Sequence, residues 1–87
     1  MQQEDWRVEG YRGVDAYVLV TADVDAGGIQ RWGYEARIAQ EGMDPSDAGD
    51  TEILSSGTQR FATRHAAEVA AFSAAYALID RLIGPMR

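Results

Sequence analysis

Apolar and polar positions alternate over two long stretches of this chain, and a helical rhythm follows near its end. The first stretch, 14–24, reads Val-Asp-Ala-Tyr-Val-Leu-Val-Thr-Ala-Asp-Val. It is rich in β-branched and aromatic residues, which suit a pleated, half-buried surface, so it predicts a strand. Alternation sets Ala16, Val18, Val20 and Val24 on one face and Tyr17, Leu19 and Thr21 on the other. Both faces are partly apolar, which leaves the buried one open. Asp25-Ala26-Gly27-Gly28 signals a turn, because glycine takes positive φ without steric cost. The next strand is predicted over about 30–40. There Trp32, Tyr34, Ala36 and Ile38 alternate with Gly33, Glu35 and Arg37, the pattern of an antiparallel strand with one wet face.

Residues 41–50 carry four carboxylates, two glycines and a proline without a base, and predict a solvated loop. A short strand is predicted from Thr51 to about Ser56, with Ile53 and Leu54 pointing to opposite faces. The helix is predicted over about 64–83. Thr63 is its N-cap, Glu68 sits toward the positive end of its dipole, and Gly84-Pro85 stops it. At 100° per residue, Val69, Phe72, Tyr76, Ile79 and Ile83 form one apolar stripe, expected to cover the sheet. Ala66, Ala67, Ala70, Ala74 and Ala77 fall on the opposite side, and Leu78 and Leu82 on a third sector. The fold class is therefore α+β: a three-stranded antiparallel meander followed by one C-terminal helix packed across one face, β-β-β-α. Residues 11–84 form this single domain, and 1–10 are a tail or a short edge strand.

Composition narrows the chemistry. The chain has 87 residues, too few for two domains, and a formal charge of −6. It holds no cysteine, which excludes a disulfide framework and a thiolate zinc site. Every basic residue is arginine and alanine is the commonest residue, a profile that fits a GC-rich bacterial genome. No run reaches the ~20 apolar residues of a membrane span. The N-terminal residues lack the basic stretch and apolar run of a signal peptide. The expectation is a cytoplasmic protein with no membrane association.

Certain residues carry a resemblance: Tyr11-x-Gly13, Trp32-x-Tyr34-x-Ala36-x-Ile38, Phe61-x-Thr63-x-x-Ala66-x-x-x-Ala70, and Ile79-Asp80. With these the chain resembles a loose class of short bacterial β-β-β-α domains of unknown function, over about residues 11–83. The resemblance implies the fold and supplies no activity. The chain is more weakly similar to HicB-like antitoxins, through Gly57-Thr58 before the helix, although its 41–50 loop departs from their short apolar segment. Plant-type domains that read DNA from an exposed sheet share the topology but are basic, and this chain is acidic.

Candidate sites are few. Asp23-x-Asp25-x-Gly27 begins like a calcium loop, but positions five, eight and twelve are Gly27, Gln30 and Tyr34, which breaks the ligand pattern. The single histidine, His65, lies in the first helical turn with Glu68 three residues on, the spacing of a surface helix pair. No nucleophile elbow or phosphate-binding loop is present. No catalytic, cofactor-binding or metal-ligating residue is assigned, and the chain is read as a non-enzyme.

Two surfaces remain. Arg60, Arg64 and His65 gather at the helix start, where free backbone N–H groups also favour an anion or a partner carboxylate. Tyr17, Leu19, Glu35 and Arg37 mark a sheet face that a single helix cannot cover. The functional expectation is a small acidic protein-interaction module that binds a protein partner or itself as a homodimer. The alternative is an antitoxin- or immunity-like inhibitor of a toxic enzyme. Nucleic-acid binding through Arg31, Trp32, Arg37 and Tyr17 ranks behind both, because phosphate binding needs an excess of base and the net charge is −6.

Overall fold

The computed structural model describes residues 6–40 and 51–84. The predicted 41–50 loop, the start of the N-terminal tail and Pro85 lie outside the described residues. The elements are β1 (Trp6–Tyr11), β2 (Val14–Val24), β3 (Gln30–Gln40), β4 (Thr51–Ser55) and α1 (Arg64–Ile83). The strands pair in chain order, β1-β2-β3-β4, and every pairing is antiparallel. The architecture is α+β, with the C-terminal helix laid on one face of the sheet. A strand, β1, precedes the three expected ones, so the sheet has four.

Local chemistry explains the boundaries. The β1–β2 hairpin turns at Arg12-Gly13, both at positive φ, the conformation a two-residue hairpin loop demands. Gly28, at φ 79°, allows the β2–β3 turn, and Asp25 ties that turn down by accepting from the Gly27 and Ile29 N–H groups. Those bonds, the Ile29 bond foremost, hold the Asp25 carboxyl below its usual range. After β4 the chain returns to β3, where Trp32 and Phe61 exchange backbone hydrogen bonds of 3.0 and 2.8 Å. The Thr63 hydroxyl accepts from the Ala66 N–H at 3.0 Å and caps α1. At the other end Gly84, at φ 98°, donates its N–H to the Asp80 carbonyl.

The core lies between α1 and the central strands. Ala16 and Val18 of β2 and Ala36 and Ile38 of β3 meet Ala71, Phe72, Ala75 and Ile79 of the helix. This settles β2: the Ala16–Val18–Val20 face is the covered one. It also corrects the helix. Its buried residues are Ala67, Ala71, Phe72, Ala75 and Ile79, whereas Val69 is 51% exposed and Ile83 47%. The covered face is rotated by roughly 80° from the bulky stripe, at 3.6 residues per turn. Ala67, expected on the open back, is fully buried. The physical reason is fit. The sheet presents Ala16 and Ala36 at the contact, and alanines on α1 let the helix backbone come close enough to exclude water from both.

Polar side chains join β1 to the helix. Arg7 pairs with Glu68 at 3.4 Å, the Tyr76 hydroxyl donates to Glu9 at 2.5 Å, and the Tyr11 hydroxyl donates to Asp80 at 2.9 Å. Arg7, Glu9 and Tyr11 are the helix-side residues of β1 by their pairing with Val18, Ala16 and Val14. Their order along β1 matches that of Glu68, Tyr76 and Asp80 along α1, so strand and helix run in the same sense. Glu68 thus belongs to this junction; no acidic residue occupies the first helical turn. The Tyr11 and Tyr76 rings stack at 4.5 Å, and Arg12 closes the corner by donating to Asp80 and to the Gly84 carbonyl, both at 2.9 Å.

Candidate functional site

The helix packs on one sheet face, and among the described residues no element packs on the other. Cross-strand pairing arranges that face in rows. One row runs Trp6, Leu19, Glu35, Ser55 from β1 to β4; the next runs Val8, Tyr17, Arg37, Ile53. Tyr17, Leu19, Glu35 and Arg37 therefore share one face, as alternation predicts. β1 adds Trp6 and Val8, which only the pairing register places there. Val8 and Ile53 are 49% and 58% exposed at the two edges of the patch.

Arg37 organises its centre. Its Nε donates to Glu35 at 3.0 Å, and its guanidinium lies 5.1 Å from the centre of the Trp6 ring, within cation–π range. The ring on β1 thus reaches across β2 toward a cation on β3. The result is an aromatic and aliphatic band surrounding one neutralised ion pair. Trp, Tyr and Arg are the residues enriched where binding energy concentrates, because each buries large area and keeps a polar handle.

The distal end of the same face is polar and internally bonded. A shallow recess of about 150 Å³ is lined by Thr21, Asp23, Gly33, Ser56 and Arg60 among others. The Ser56 hydroxyl accepts from the Tyr34 N–H, and Arg60 donates to the Gly57 and Gln59 carbonyls and to Asp23. A Cβ at Gly33 would meet the Ser56 hydroxyl at 3.1 Å and the Arg60 guanidinium at 3.3 Å, so one of them would have to shift by a few tenths of an ångström.

The same arrangement fixes where the helix-start residues reach. Arg60 is drawn away to Asp23, 37 positions earlier in the chain, while Arg64 and His65 are exposed on the first helical turn without a hydrogen bond or ion pair among the described residues. Asp23 and Asp25, the carboxylates of the calcium-like turn, are taken up by Arg60 and Arg31 and by backbone N–H groups. Among the described residues no group of three or more acidic or histidine side chains converges on a metal position.

The nucleic-acid set is also divided. Trp32 shares the parity of Tyr34 and Ala36 on the helix side, opposite to Tyr17 and Arg37, and Arg31 and Arg37 are each spent on a carboxylate. Among the described residues no helix is long and apolar enough to cross a membrane. No protein-family model, curated protein or solved structure matches this chain.

Proposed function

We propose that this chain is a non-enzymatic protein-interaction module that docks through its uncovered sheet face. The observation that carries the reading is the band formed by Trp6, Val8, Tyr17, Leu19 and Ile53 around the Arg37–Glu35 pair. A partner that covers the band meets no unpaired charge at its centre, because Arg37 and Glu35 neutralise each other at 3.0 Å. A pleated sheet surface of this kind suits a protein partner better than a small molecule, which needs concave walls.

Site-specific photocrosslinking in a bacterial host tests this. A photoreactive phenylalanine replaces Tyr17 in one variant and Val69, on the helix back, in the other. A discrete protein adduct at position 17 and none at position 69 is the expected result. Adducts at position 69 alone, or at neither position, overturn the reading.

A further inference from the structure

Resting on that reading of the sheet face, we propose that its occupant is a second copy of this chain, the two sheets packed face to face about a two-fold axis. Charge narrows the choice first. The chain carries −6, so two copies repel wherever their acidic surfaces meet. On the uncovered face each arginine has its own carboxylate: Arg37 with Glu35, Arg31 with Asp25, and Arg60 with Asp23. Among the described residues Asp15 is the one carboxylate of that face outside these pairs. A basic partner needs unspent carboxylates and a phosphate backbone needs unspent guanidiniums. Among the described residues the face offers almost none of the first and none of the second. It is the part of an acidic molecule where an equally acidic molecule can approach.

The register supplies self-complementarity. A two-fold axis crossing the strands between the two rows lays one row on the other. Leu19 then meets the second copy's Tyr17, Trp6 meets its Val8, and Glu35 meets its Arg37, each contact occurring twice. This is the requirement of an isologous interface, in which one patch must complement itself. The aligned packing of two twisted sheets about 10 Å apart accommodates such a contact.

The area is adequate. The strand residues facing each other about that axis are 6–8, 14–22, 32–40 and 53–55, which at ~3.4 Å per residue and ~4.8 Å between strands present about 400 Å² before side-chain relief. Relief brings this toward the ~600 Å² per partner at the lower end of specific interfaces. The need is present as well. Among the described residues the largest fully buried side chains are Ile79 and Val18, so the second face offers burial that this alanine-rich core lacks.

Complementary charge variants test the proposal. Sedimentation velocity on the whole chain, from ~1 μM to ~1 mM, is expected to show dimer forming in the micromolar range. Glu35→Arg sets arginine against arginine across the axis, and Arg37→Glu sets carboxylate against carboxylate. Each variant, confirmed folded by circular dichroism, is expected to weaken the dimer at least ~10-fold. An equimolar mixture restores both opposite-charge contacts, and heterodimer is expected to return. Loss of the intramolecular pair alone would not be repaired by mixing. A wild-type chain that stays monomeric to ~1 mM overturns the second copy as occupant. In that case an adduct at position 17 with a different protein still supports the docking face. A dimer indifferent to both variants, or variants not rescued by mixing, also overturns the proposal.

Discussion

Replacing Ala71 with leucine, beside replacing Val69 with alanine, tests where the helix meets the sheet. Ala71 is fully buried and packs in the cluster with Ala16, Val18, Ala36 and Ile38. Leucine adds three carbons at a contact whose closeness depends on alanine. Overpacking of this kind costs about 1–3 kcal/mol. Helix propensity does not confuse the result, because leucine is nearly as good a helix former as alanine.

Val69, at 51% exposed, behaves differently. Truncation to alanine loses about 1 kcal/mol of partial burial and regains about 0.5 kcal/mol of propensity, for a net change under about 1 kcal/mol. For a domain of this size, 1 kcal/mol is about 5 °C in Tm. Thermal unfolding followed by far-UV circular dichroism should therefore show Ala71→Leu lowered by ~5–15 °C and Val69→Ala within ~5 °C of the parent. The bulky-stripe orientation predicts the reverse: Val69→Ala costly and Ala71→Leu nearly silent. That reversed order would refute the packing described here.

Thr63→Ala should cost about 1 kcal/mol, or about 5 °C in Tm, by freeing the Ala66 N–H, and Thr63→Ser should recover most of it. The β1–helix junction predicts the pH limits of stability. The hydrogen bond to Glu9 pushes the Tyr76 phenol up to about 12, so its contribution is complete below the ordinary tyrosine value of 10.0 and is lost as pH climbs toward about 12. Denaturant titrations across that range should show the loss, and Tyr76→Phe should flatten it. Hydrogen bonds from Arg12 and then Tyr11 hold Asp80 below 3.8; its contribution is present above that value and fades as pH falls through the lowered one. The same titrations carried to acid should show a fall that Asp80→Asn makes shallower.

Much of the fold is legible because its signals are local. Strand β2 coincides with a run of β-branched and aromatic residues, β3 with a strict alternation, and the helix with Thr63 at its start and Gly84 at its end. Turn chemistry adds Gly28. Strand β1 is harder to read, since Arg7 and Glu9 are polar on the very side that meets the helix. They bond to α1 where an ordinary strand would bury apolar groups. The helix face misleads for a related reason. Alanine lines the contact, so the bulkiest residues no longer mark the buried side.

The candidate surfaces divide the same way. Tyr17, Leu19, Glu35 and Arg37 follow from strand parity alone. Placing Trp6 over Arg37 requires the β1–β2 register, and moving Arg60 from the helix start to Asp23 requires a contact between distant parts of the chain.

The sequence by itself determined β2, β3, β4 and α1, their order, the helix caps and the β2–β3 turn, and left 1–10 open between a tail and an edge strand. These depend on neighbours a few residues apart, where backbone sterics and alternation act directly. Only the tertiary structure decided which side of the helix is buried, which side of β2 faces it, and which charges on the open face are already spent. Those outcomes depend on how closely two surfaces can approach and on partners separated by tens of residues, and local pattern carries no record of either.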